Sequence, residues 1–141
     1  MSRPPHAREK VLDAFESLLI AEGERAATMD AIARAAGVSK GGLLYHFASK
    51  EALEAALLIR LEKCVDEDLA RMTSSEEGPV AYYVRTSAMD GTALDRAILA
   101  VSRLAQAGRG AASDALRTVR ERWADTLRPH VADKTALDLV M

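Results

Sequence analysis

One cysteine, Cys64, stands in the 141 residues, so an intrachain disulfide is excluded. Its place on an apolar helical stripe reads as a small hydrophobe rather than a nucleophile. The three histidines, His6, His46 and His130, lie far apart and lack the His/Cys/Asp clustering that a zinc site needs. There is no P-loop, no dinucleotide fingerprint and no G-x-S-x-G elbow. Neither catalysis nor a metal or cofactor is expected. No apolar run approaches the length of a membrane span, and Met1 to Lys10 is polar and proline-containing rather than a signal peptide. A cytoplasmic protein with no membrane partner is the expectation. Strand-like alternation of apolar and polar residues is also missing. The formal charge of only −2 argues against a broadly basic nucleic-acid coat. What remains is a helical chain, 49% hydrophobic and long enough to bury a core of one or two packed units.

The densest signal lies between Thr28 and Leu53, which reads as two short helices joined by a tight turn and followed at once by a third. Thr28 is a good N-cap, and Asp30 in the first turn complements the positive helix end. Ile32, Ala35 and Ala36 give a narrow apolar stripe of small side chains. Gly37 suits the left-handed C-terminal cap, and Val38 plugs the turn. Ser39 caps a second helix through Lys40, Gly41, Gly42, Leu43, Leu44, Tyr45 and His46. Glycines at 41 and 42 each cost about 1 kcal/mol in a helix relative to alanine, so they suit a backbone that must come close to something flat. Leu43 and Phe47 face inward, while Tyr45 and His46 face outward, where they can donate to phosphate oxygens. Ser49 caps the third helix, whose second residue, Lys50, points toward the same side, at an N-terminus that is itself an anion site. Residues 31 to 50 hold Arg34, Lys40 and Lys50 and no acidic residue, so positive charge is local, as a groove reader requires.

On the motif T-M-D-A-I-A-R-A-A-G-V-S-K-G-G-L-L-Y-H-F-A-S-K-E-A-L, residues from about Arg8 to Leu61 resemble the N-terminal domain of the TetR (tetracycline-repressor-like) family of bacterial regulators. The resemblance implies a homodimer that reads an inverted-repeat operator in double-stranded DNA, an all-helical second domain that binds a small-molecule effector, and repression relieved by that effector. It assigns phosphate or base contacts to Thr28, Lys40, Gly41, Gly42, Leu44, Tyr45, His46 and Lys50. Many members carry an aromatic residue where this chain has Leu44, which leaves an apolar touch such as a thymine methyl. Lys40 is the one obvious side chain for guanine readout. The competing reading is a ligand-sequestering or heterodimerising protein whose reader is vestigial.

The rest of the chain reads as helices throughout, in an all-α architecture divided into residues 1–49, the DNA reader, and 50–141, the effector and dimerisation domain. A first helix from about Pro5 to Glu22 carries Val11, Phe15, Leu18 and Leu19 as core. Arg3, Arg8 and Lys10 make its arm basic. Leu53, Leu57, Leu61, Val65, Leu69 and Met72 line one face of a long helix from Ser49 to about Met72. Thr73 to Pro79 breaks the chain. Helices follow from Val80 to about Met89, from a Thr92–Asp95 capping box to about Ala107, and through Leu116, Val119, Trp123 and Leu127 to near Pro129. A last helix begins around Asp133, its apolar residues still in phase at Met141. TetR-like chains usually continue further, so truncation relative to them is the expectation. Met72, Tyr82, Tyr83, Met89 and Trp123 are the candidate ligand-binding residues, with Trp123 read first as core. Arg120 and Arg122 are expected to meet Glu121 or water.

Overall fold

The computed structural model describes residues 6–131. The N-terminal arginine Arg3 and the helix expected from Asp133 lie outside the described residues. Within them the chain forms α1 (Ala7–Glu22), α2 (Met29–Ala36), α3 (Lys40–His46), α4 (Lys50–Ser74), α5 (Pro79–Ser87), α6 (Ala93–Gln106) and α7 (Gly110–Leu127), closed by a 3-10 turn at Arg128–His130. No strand occurs among the described residues.

Four of these helices begin with the same local device, a hydroxyl that accepts from the amide three residues on. Thr28 accepts from Ala31, Ser39 from Gly42, Ser49 from Ala52 and Thr92 from Asp95, at 3.0–3.1 Å. Each satisfies a backbone donor that the helix cannot pair itself. Gly37, with φ +70° and ψ 29°, ends α2, and Val38 returns its amide to Ala33 O at 3.0 Å. The chain thereby turns within a few residues from α2 into α3.

The buried face of α2 is Ile32 and Ala33, with Ala36 partly buried, whereas Ala35, expected on that stripe, is exposed. The reason is phase: Ile32 and Ala36 stand four apart and Ala33 and Ala36 three apart, so Ala35 falls outside their arc. On α4 the expected Leu53, Leu57, Leu61, Val65 and Met72 are fully buried. The sixth, Leu69, is only partly so, and Asp68 takes the buried place beside it. The helix also runs two residues past the expected stop, to Ser74, with Thr73 and Ser74 hydroxyls bonded back to Leu69 and Ala70 carbonyls. Pro79 then opens α5 at a position where its missing N–H costs nothing.

One apolar cluster joins Val11, Phe15 and Leu19 of α1, Ile32 of α2 and Leu43 of α3 to Leu57 and Leu61 of α4, and runs on through Ala97, Ala100, Val101 and Leu104 of α6 to Val119 of α7. The core therefore crosses residue 49 without a gap. Small side chains at Ala97 and Ala100, both fully buried, let α6 pack against α1, α4 and α7 at once. A second, smaller cluster of Met72, Tyr82 and Leu127 closes the far end.

Truncating Leu57, fully buried in the shared cluster, is expected to cost about 2–5 kcal/mol by chemical denaturation. Ile59→Ala, at 66% exposure two residues along the same helix, should stay within about 0.5 kcal/mol of the parent.

Candidate nucleic-acid interface and helical cavity

The short helix α3 is held from below and open above. Leu43 and Phe47 are buried, and the Arg8 guanidinium lies 4.8 Å from the centre of the Phe47 ring, so the start of α1 braces the end of α3. Gly41, Leu44 and Tyr45 are exposed, Leu44 to 42% and Tyr45 to 68%, and His46 is half-buried edge-on to the Tyr45 ring at 5.1 Å. A methyl added at Gly41 would meet nothing within 4 Å, whereas one at Gly42 would come to 3.2 Å from the Ser39 hydroxyl that caps the helix. Nothing in the fold therefore requires Gly41. Thr28 and Lys40 are exposed, and Lys40 sits 3.2 Å from Asp30, a solvent-screened pair that adds little stability.

Lys50 is placed differently from its expected role. Its ammonium lies 2.7 Å from Glu24 Oε1 and donates to the Glu24 carbonyl oxygen at 2.9 Å, with the side chain largely shielded. Arg109, from the turn before α7, reaches the same Glu24 oxygen at 3.0 Å and comes within 3.3 Å of Glu54. The Lys50 hydrogen bond, helped by Arg109, holds the Glu24 carboxyl below its ordinary range against the opposing effect of burial. Burial, with the nearby charges of Glu51 and Glu24 adding to it, raises Glu54, and Arg109 and Lys50 only partly offset this. Glu24, a loop residue with no motif around it, is thus the hub that sequence reasoning missed.

Four of the five candidate ligand residues share one cavity of about 490 Å³ between α4, α5, α6 and α7: Tyr82, Tyr83, Met89 and Trp123. Met72 is fully buried in the cluster with Tyr82 and Leu127, and does not line the space. Trp123, read first as core, is only partly buried and stands edge-on to Tyr83 at 6.0 Å. The unexpected member is Asp68, 8% exposed, which accepts from Trp123 Nε1 at 3.1 Å and from the Tyr82 hydroxyl at 3.3 Å. A signal for it existed, since Asp68 falls three residues after Val65 and four before Met72, in phase with the buried stripe. Arg122 does not simply face water or Glu121, because it pairs with Asp66 of α4 at 2.7 Å. Cys64 is half-buried, and burial, with Glu67 beside it, pushes its thiol up, which suits an inert side chain. Among the described residues no three His, Cys, Asp or Glu side chains are placed to hold a metal ion, and no helix is long and apolar enough to cross a membrane.

Residues 11–57 match the family described as bacterial regulatory proteins, tetR family. A stretch of 54 residues, 38% of this chain, is 43% identical to the HTH-type transcriptional regulator SrpR of Pseudomonas putida, of which it spans 25%. The chain thus matches about a quarter of that relative's length. Among solved structures, SCO7518 of Streptomyces coelicolor A3(2) is similar in fold, with a TM-score of 0.67 at 23% identity over 96% of this chain and 82% of the other. A TetR-like transcriptional regulator from Rhodococcus sp. RHA1 gives a TM-score of 0.62 at 24% identity over 98% and 78%. Residues 11–57 are thus similar to the tetR family, and the all-helical fold as a whole is similar to that of these two solved structures.

Because Glu24 is held below its ordinary value of 4.5, the stability it contributes is present above that pH and is lost as pH falls below it. Glu24→Gln should therefore lower the melting temperature at neutral pH, and the gap from the parent should close in acid; a gap that stays constant down the acid limb would contradict the Lys50 and Arg109 bonding.

Proposed function

We propose that this chain, carrying a tetR-type helix-turn-helix over residues 11–57, is a transcription repressor that binds an inverted-repeat operator as a homodimer and leaves it when an effector enters the second domain. The observation that carries the reading is the open N-terminal face of α3, where Gly41 is exposed and has free space above it. A helix that places its first turn in the major groove benefits from missing side chains there, since backbone and base edges can approach closely. Two such helices, one per subunit, would meet two half-sites about one helical turn of DNA apart.

In this reading Thr28, Tyr45 and His46 donate to phosphates, Lys40 reads a base edge, and Leu44 touches a methyl group. For Lys40 to do so it leaves Asp30, which costs little because both side chains are solvated. Lys50 would have to abandon a shielded carboxylate, so its contribution to DNA binding is made through the position of the α4 N-terminus rather than through direct phosphate contact. The cavity lined by Tyr82, Tyr83, Met89 and Trp123 is the effector site, its volume falling in the range common for small-molecule pockets.

The test is sedimentation and fluorescence anisotropy of the purified chain with a duplex spanning the region upstream of its own gene. A dimer is expected to bind, with affinity falling steeply as salt rises because counterions are released from the phosphates. Salt-independent association would overturn the contact scheme. The Lys40→Ala, Tyr45→Ala double variant should lose DNA binding with its folding intact; a dimer that kept ligand affinity but never bound DNA would instead fit a vestigial reader.

Gly41→Ala separates structure from function. The new methyl has room, and helix propensity favours alanine by about 1 kcal/mol. The variant should therefore melt higher yet bind DNA more weakly. Unchanged DNA affinity would mean that the face over Gly41 is not the groove-facing one.

A further inference from the structure

The effector cavity is electrostatically one-sided. Its walls carry the carboxylates of Glu67, Asp68 and Asp95 against the single guanidinium of Arg71. Arg71 is already matched, lying 3.8 Å from Glu67. Asp68 is nine-tenths buried, yet its two hydrogen-bond donors, the Trp123 indole and the Tyr82 hydroxyl, are both neutral, and no cation pairs with it among the described residues. Asp95 is half-buried and its Oδ2 is shielded from solvent with no donor among the described residues. Its place in the first turn of α6 favours its charge but supplies no partner for that oxygen. Buried carboxylates are ordinarily paired with a cation or neutralised.

The apolar part of the lining is aromatic. Tyr83 and Trp123 stand edge-on at 6.0 Å, an arrangement that offers a negative ring face and an apolar slot. Burial, with the charge of Asp68 adding to it, raises the Tyr83 hydroxyl, so that ring stays neutral at physiological pH. Ring faces and an uncompensated carboxylate attract the same thing, a positive charge spread over a flat apolar body. An anionic ligand would meet three carboxylates with only the engaged Arg71 to oppose them.

We propose that the cavity between α4, α5, α6 and α7 takes a flat, lipophilic organic cation, with Asp68 as its counter-ion, Tyr83 and Trp123 as its aromatic wall and Asp95 as a second, outer carboxylate. This rests on the reading of that cavity as the effector site and adds the chemical class of the effector.

Trp123 is the only tryptophan in the chain, so its fluorescence reports on this cavity alone. The experiment titrates the full chain at neutral pH with N-methylquinolinium, a flat aromatic monocation, and with quinoline, its neutral analogue, following Trp123 emission and binding heat together. Saturable binding of the cation is expected, with quinoline weaker by about tenfold. Asp68→Asn, which keeps the shape of the side chain and removes its charge, should weaken the cation about tenfold and leave quinoline unchanged. Asp95→Asn should show the same selectivity with a smaller loss, and it carries the test should Asp68→Asn fail to fold by circular dichroism. Asp66→Asn, on the α4 face that pairs with Arg122, should change neither ligand. Equal affinity for cation and neutral analogue, or indifference of the cation to both carboxylate variants, overturns the cation assignment while leaving the cavity a ligand site. Binding of neither compound overturns it as well, and removes support for the effector site without touching the DNA-binding reading, which the duplex titration decides separately.

Discussion

A carboxylate removed from water must be met by cations or hydrogen-bond donors, and Glu16 of α1, only 5% exposed, is met by two helices at once. Its Oε2 lies 3.3 Å from Arg60 of α4 and its Oε1 3.2 Å from Arg96 of α6. Arg60 goes on to Glu9 and Asp13, and Arg96 to the Ser17 hydroxyl, so the charge of α1 is shared over three helices. Burial opposes the charge on Arg60, yet Glu16 and Asp13 outweigh it and raise its pKa. Removing either arginine would leave the buried Glu16 with one cation in place of two. That condition fixes α1, which braces α3, against the two helices α4 and α6 that also wall the cavity.

A second charged junction repeats the logic nearer to α2 and α3. Glu24 joins the loop after α1 to Lys50 at the start of α4 and to Arg109 at the start of α7. Arg103 of α6 adds a hydrogen bond to the Ile20 carbonyl oxygen. Arginine suits these positions because its planar fork can serve two acceptors at once. The apolar cluster that crosses residue 49 supplies the bulk of the packing, and the two carboxylates supply its orientation.

What the sequence disclosed was what depends on neighbours in sequence. Thr28, Ser39, Ser49 and Thr92 could be read as caps because the bond each makes spans three residues, and the inward turn of Leu43 and Phe47 followed from one helical turn of spacing. Helix ends were legible to within a few residues for the same reason. The pairing of Lys50 with Glu24 spans 26 positions, Arg60 with Glu16 44, Trp123 with Asp68 55 and Arg96 with Glu16 80. No local pattern encodes such partners. Lys50 accordingly read as a cation for DNA, and Asp68 did not stand out at all. The aromatic members of the cavity were visible as residue types, but Met72 could be separated from Tyr83 and Trp123 only once α5 and α7 were seen folded against α4.

The long helix α4 contains neither glycine nor proline in its 25 residues and is packed along its length from Leu53 to Met72. At about 1.5 Å of rise per residue, the 18 steps from Lys50 to Asp68 amount to about 27 Å of stiff rod. Such a rod converts angle into displacement. A pivot of about 5° at its Lys50 end sweeps the carboxylate of Asp68 through roughly 2 Å, close to the difference between a hydrogen bond and none. The same lever works in reverse, so a shift of Asp68 by that much corresponds to a comparable turn of the rod at its Lys50 end, to which Glu24 clasps the loop after α1.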